Sequence, residues 1–135
     1  MMSIYLRLLP DGGRYFSEDA TNCKVEVLAD WLTDDVSTRC DSWRKWLNDN
    51  SEKMQDTESN ATWLEKYGDK ILMGAITHIM IFEHEGLSTP EEYKVMISIK
   101  NAIELIDSWE GLIKTCPLRL ILYEENGIYR LEAVQ

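Results

Sequence analysis

The chain is poor in the residues that staple, coordinate or catalyse. It has three cysteines, Cys23, Cys40 and Cys116, an odd number at wide spacings with no CxxC pair. That count argues against a disulfide framework and against a zinc site. There are two histidines, His78 and His84. Six residues along a helix put them roughly 240° apart, so they cannot share one metal from one face. No GxSxG, GxGxxG, P-loop or HExxH motif occurs. Gly12 and Gly13 follow an apolar strand pattern, but no downstream glycine and lysine accompany them to cradle a phosphate. The expectation is a protein without a catalytic set, a cofactor or a metal.

Long apolar runs are also missing. The longest uncharged stretch, residues 71–82, has 12 residues, and a bilayer crossing takes about 20. The first ten residues hold a short apolar run with no basic region ahead of it, unlike a signal peptide. A cytoplasmic location follows as the expectation.

Bases are scarce too. Fourteen lysines and arginines face 24 acids, a net charge of −10. Phosphate backbones and anionic membranes repel such a chain. Direct nucleic-acid or membrane binding is therefore disfavoured, and a basic protein is the partner that suits it. At 135 residues and 44% apolar content, residues 1–135 fit a single domain with one core.

What is present is mostly architecture. Ile4, Leu6 and Leu8 alternate with Tyr5 and Arg7 as in a strand, and Pro10 to Gly13 breaks it. Residues 24–28 fit a strand, or a helix continuing through Leu32 on Val25, Leu28, Ala29 and Leu32; we prefer the strand. Val36, Cys40, Trp43 and Leu47 share one helical face, with Asp34 or Asp35 placed to cap it. Residues 48–60 read as a polar loop.

Leu64, Tyr67, Ile71, Ala75, Ile79 and Phe82 predict a long helix through the uncharged stretch. Thr62 and Glu65 have capping-box spacing at its start, and Gly86 is placed to stop it. A stretch so apolar is expected to be buried. Thr89, Pro90, Glu91 and Glu92 predict the opening of a second helix. Tyr93, Met96, Ile99, Ile103 and Ile106 would lie on its face, with Gly111 at its end. At the C-terminal end, Asn126-Gly127 predicts a two-residue hairpin turn. It pairs Glu125 with Ile128, Tyr123 with Arg130 and Leu122 with Leu131. Leu118, Leu120, Leu122, Leu131 and Ala133 then share a face. The expected fold class is α+β in two layers. An antiparallel sheet, made of the N-terminal strand and the C-terminal hairpin, packs on a long antiparallel helical hairpin and a further helix.

The remaining signal is acid set among tryptophan. Residues 30–50 hold three of the five tryptophans, Trp31, Trp43 and Trp46. Between residues 17 and 59 lie 11 acids and 5 bases, a net of −6 and more than half the total charge. Trp43 falls on the helical face; periodicity does not place Trp31 and Trp46. Exposed Trp ringed by carboxylates suits a basic, concave partner, the rings supplying burial and the acids steering. Asp30, Trp31, Asp34, Asp35, Asp41, Trp46 and Asp49 are the candidate partner-binding residues. The competing possibility is that all three rings are core and the acids a solvated face. A second acidic cluster, Glu83, Glu85, Glu91 and Glu92, has no base between its members, and helix capping accounts for the last two.

These features point to an immunity protein or antitoxin that occludes the substrate site of a nuclease-type toxin. A phage-type nucleic-acid mimic acting on a restriction or CRISPR effector ranks lower, because bases interrupt the acids. A small enzyme or ligand-binding domain would show a closed apolar pocket holding His78 or a cysteine with polar partners. A subunit of a larger assembly would show a broad exposed apolar patch.

Overall fold

The computed structural model describes residues 2–10, 14–18, 23–49, 54–55 and 61–135. The elements run β1 (Ser3–Leu8), β2 (Tyr15–Ser17), α1 (Cys23–Asp30), a π-helical segment (Trp31–Val36), α2 (Cys40–Asn48), β3 (Met54–Gln55), β4 (Thr62–Tyr67), β5 (Lys70–Ala75), α3 (Ile76–His84), a 3-10 turn (Glu91–Tyr93), β6 (Lys94–Ser98), α4 (Ile99–Thr115), β7 (Arg119–Glu125) and β8 (Ile128–Ala133). They form an α+β fold with two antiparallel sheets, ordered β2-β1-β7-β8 and β3-β4-β5-β6.

The first sheet is the one expected, an N-terminal strand beside a C-terminal hairpin. β1 lies against β7 with Ile4 opposite Leu122 and Leu6 opposite Leu120. The hairpin closes on Glu125 and Ile128, with Tyr123 opposite Arg130 and Leu122 opposite Leu131. Asn126 and Gly127 take positive φ angles of 54° and 82°, as a type I′ turn requires, and a two-residue turn leaves the register no freedom. Leu120, Leu122 and Leu131 are buried, whereas Leu118, just before β7, and Ala133, the last residue of β8, are exposed.

The second sheet stands where the helical hairpin was expected. Tyr67 pairs with Lys70, so Gly68 and Asp69 form a two-residue turn, and Gly68 has φ +63°. Residues four apart share a side of a strand as well as of a helix. Ile71 and Ala75 satisfy both patterns, and Met73 between them is buried with them. Alternation decides: Leu64, Ile71, Met73, Val95 and Ile97 face the core, with Leu64 opposite Met73 and Met73 opposite Val95. The residues Thr89 to Glu92 open a single 3-10 turn rather than a helix. The long helix α4 begins later, where the Ser98 hydroxyl accepts a hydrogen bond from the Asn101 amide at 2.9 Å. It runs through Gly111 and ends at Cys116 in a left-handed conformation.

Residues 24–28 are helical. Val25, Val27, Leu28 and Ala29 on α1 are each 1% exposed or less, and α1 touches strands of both sheets. A helix buried on most sides loses the one-faced signature of a surface helix, so Val25 and Val27 mimic strand alternation. Each buried Val or Leu stabilises the fold by roughly 1.5–3 kcal/mol. Val36, Cys40, Trp43 and Leu47 are all buried, but on two elements: the π-helical segment ends at Val36, Ser37 turns the chain at φ 45°, and α2 starts at Cys40 behind Arg39 and not behind Asp34 or Asp35. Most of the polar loop over 48–60 lies outside the described residues; β3 pairs Met54 with Glu65.

Candidate interaction surface

Trp31 and Trp46, the two rings offered as surface anchors, are core, as Trp43 was expected to be. Trp31, Trp43 and Trp46 are 0%, 1% and 5% exposed. They form an edge-to-face series with successive centroids 5.8 Å apart, the geometry aromatic quadrupoles favour. The Trp43 indole donates to the Asp35 carbonyl at 3.0 Å. The Lys66 ammonium lies 4.4 Å over the Trp46 ring and donates to the carbonyls of Trp46 and Asp49. Trp31 and Trp46 therefore have no surface to offer as anchors. Three large rings cluster because together they remove the most apolar area from water.

Asp35 is also withdrawn from the surface, at 0% exposure. It caps no helix. Its carboxylate accepts from the amides of Ala61 and Thr62 at 3.0 Å each, and from the Thr62 hydroxyl. It thereby ties the π-helical segment to the start of β4, and a buried charge is tolerable only with such partners.

The other candidate acids separate. Glu26, Asp30 and Asp34 are spaced by four along α1 and the segment that continues it. Asp30 is half-buried, and its pKa is pushed up to about 7, first by burial and then by the charges of Glu26, Asp34 and Asp35. The Asp34 residue is exposed, yet partial desolvation and Asp35 raise its pKa as well, against the pull of Arg14. Asp41 belongs to a different cluster. Arg44 reaches Asp41 at 2.9 Å, and Asp107 and Glu110 at 2.8 Å each, linking α2 to α4. The hydrogen bond from Arg44 holds Glu110 below its ordinary value. Asp49 is half-buried. No single face thus presents the seven candidate residues together.

A different surface stands out, and it lies within the stretch expected to be buried. α3 carries Ile76, Ile79, Met80, Ile81 and Phe82, and none of its residues is buried. His78 and Phe82 lean on Tyr93 with ring centroids 4.7 and 5.3 Å away. His78 Nδ1 has no hydrogen-bond partner among the described residues. Met80 and Ile81 point elsewhere, 65% and 58% exposed, and Leu87 beyond the helix is 55% exposed. A groove of about 450 Å³ lined by Trp63, Ile79, Glu83, Leu87 and Lys94 joins α3 to the outer side of the second sheet. There Met96 is 48% exposed and lies opposite half-buried Leu72. Glu83, Glu85, Glu91 and Glu92 are all exposed, and Lys94 borders them, 3.8 Å from Glu91.

The signal for this surface was in the sequence. Five large apolar residues and two glutamates cluster between Ile76 and Glu85. Apolar residues are often found outside, and only a contiguous patch is informative. Among the described residues no group of three or more His, Cys, Asp or Glu is placed to hold a metal ion. No helix among them is long and apolar enough to cross a membrane. Comparison with protein families, with curated proteins and with solved structures returns no match.

Proposed function

We propose that the chain is a cytoplasmic binding protein that captures and neutralises a basic protein partner, as an immunity protein or antitoxin does with a nuclease-type toxin. The contact we assign is the outer face of α3 with Leu87 and Met96. One observation carries this reading: five large apolar residues on a nine-residue helix, none of them buried. Water contact at Met80, Ile81 and Leu87 costs free energy that a partner surface would recover, roughly 25 cal/mol for each Å² covered. The glutamates around the patch favour a basic partner over a second copy. A second copy would bring one acidic rim against another, on chains that each carry −10. A basic rim would be drawn in, and faster at low salt.

The exposed patch also suits a subunit of a larger assembly, and one experiment separates the two. Proteins encoded beside this one are expressed singly and together with it, and growth is scored. A toxic basic neighbour is expected, with growth restored by the wild-type chain and not by the Met80→Lys, Ile81→Lys variant. Full rescue by that variant, at unchanged circular dichroism, would remove α3 from the interface. A neutral or acidic neighbour that binds without being toxic would support the assembly instead.

A further inference from the structure

A second feature lies apart from α3. The end of β1, the start of β2, the exit of the π-helical segment and the last turns of α4 surround a partly open pocket of about 160 Å³. Leu8, Ile113 and the rings of Tyr15 and Trp109 line it, with Arg14, Thr33, Thr38 and Cys116 around them. The two rings meet edge to face at 5.8 Å. Their polar atoms are already engaged: the Tyr15 hydroxyl donates to the Pro117 carbonyl at 2.5 Å, and the Trp109 indole to the Ser37 carbonyl at 2.8 Å. What these rings offer the cavity is therefore apolar surface. Ser37 itself is held at φ 45°, ψ −113°, a conformation that costs a non-glycine residue energy. Its amide, bonded to the Leu32 carbonyl at 2.8 Å, and the indole bond together fix that wall in place.

Size and charge define the occupant. A volume of about 150 Å³ is room enough for one benzene ring. At the margin stands Arg14. The guanidinium groups of the other five arginines each meet a carboxylate or a carbonyl. Among the described residues that of Arg14 meets none. Asp34 feels its charge without lying within ion-pair distance. The Thr38 hydroxyl likewise has no partner among the described residues. We propose that this cavity is a binding site for a small aromatic carboxylate, its ring between Tyr15, Trp109 and Ile113 and its carboxylate on Arg14 and Thr38. Inorganic phosphate lacks the ring that would displace water from the apolar floor.

The test uses benzoate, with benzyl alcohol as the uncharged probe of the same ring, on the full chain. Indole proton shifts and the rate of thiol labelling at exposed Cys116, in a Cys23→Ser background, are followed during titration. Benzoate is expected to bind with Kd on the order of 0.1–1 mM, within the bound for so small a ligand. It should shift the Trp109 indole signal and slow labelling of Cys116. Arg14→Gln, at an exposed position, should weaken benzoate about tenfold, the worth of one charge-assisted contact, and leave benzyl alcohol unchanged. Ile113→Trp should abolish both. Equal affinity for the two probes would overturn the carboxylate assignment. No saturable shift of the Trp109 signal with either probe would overturn the site.

Discussion

Asp30 permits the most quantitative test of the structure. It ends α1, half-buried, four residues from Glu26 and four from Asp34, and its pKa stands near 7 instead of the ordinary 3.8. The folded chain therefore keeps this proton up to about pH 7, while the unfolded chain releases it near 3.8. Between those values the folded state binds more protons, so the Asp30 contribution to stability declines as pH rises through the window and is fully lost above it. A rise of that size corresponds to at most about 4 kcal/mol. Solvent reaching the half-buried carboxyl screens its neighbours, and about 2 kcal/mol is the expected cost. Asn keeps the shape and discards the charge. Asp30→Asn should therefore raise stability by about 2 kcal/mol at pH 8 and change it by a few tenths at pH 4. Urea melts at both values, with an unchanged slope, make the measurement. A variant equally stable to wild type at pH 8, or less stable there, would refute the burial of Asp30 beside three other carboxylates.

Two substitutions probe the buried polar links. Asp35→Ala leaves the Ala61 and Thr62 amides and the Thr62 hydroxyl without their acceptor. It should cost about 3 kcal/mol in a urea melt, and a loss below about 1 kcal/mol would place Asp35 back at the surface. Asn101 bridges α4 to the edge strand β8: its amide nitrogen donates to the Tyr129 carbonyl at 2.8 Å and its oxygen accepts from the Tyr129 amide at 2.9 Å. Asn101→Ala should cost about 2–3 kcal/mol and speed amide exchange at Tyr129, whereas unchanged exchange would show that another group protects it.

The sequence disclosed most where geometry left one choice. Asn126-Gly127 allows a single hairpin register, and the paired residues follow from it. Cys40, Trp43 and Leu47 share a face that only a helix brings together, although the helix expected from Asp34 is broken at Ser37, which leaves Val36 on the segment before it. It disclosed least where two periods overlap. Ile71 and Ala75 lie on one side of a helix and of a strand alike, and the turn at Gly68 and Asp69 was the feature that separated them. α1 escaped because contact with both sheets leaves it only a narrow polar side, so Val25 and Val27 are buried alike. The tryptophans near the acids were countable, but counting does not say which point inward; the rings do, and Asp35 follows them. α3 failed in the opposite sense, since an apolar run need not be covered within its own chain. The cavity beside Trp109 joins residues more than a hundred positions apart, and no local pattern announces it.

The proposed contact at α3 sits apart from the rigid part of the fold. Trp31, Trp43 and Trp46 make the interior behind residues 30–49 rigid, and Arg44 fastens the outer side of α2 to α4. α3 rests on Tyr93 and its own strand, so its outer face is free to be covered without disturbing the core.

Amide exchange of residues 76–84, with and without the proposed basic partner, tests that assignment most directly. Slowing by about tenfold or more along α3 and at Leu87, with residues 30–49 unaffected, is the predicted result. Protection confined to residues 30–49, with α3 exchanging as in the free chain, would contradict it.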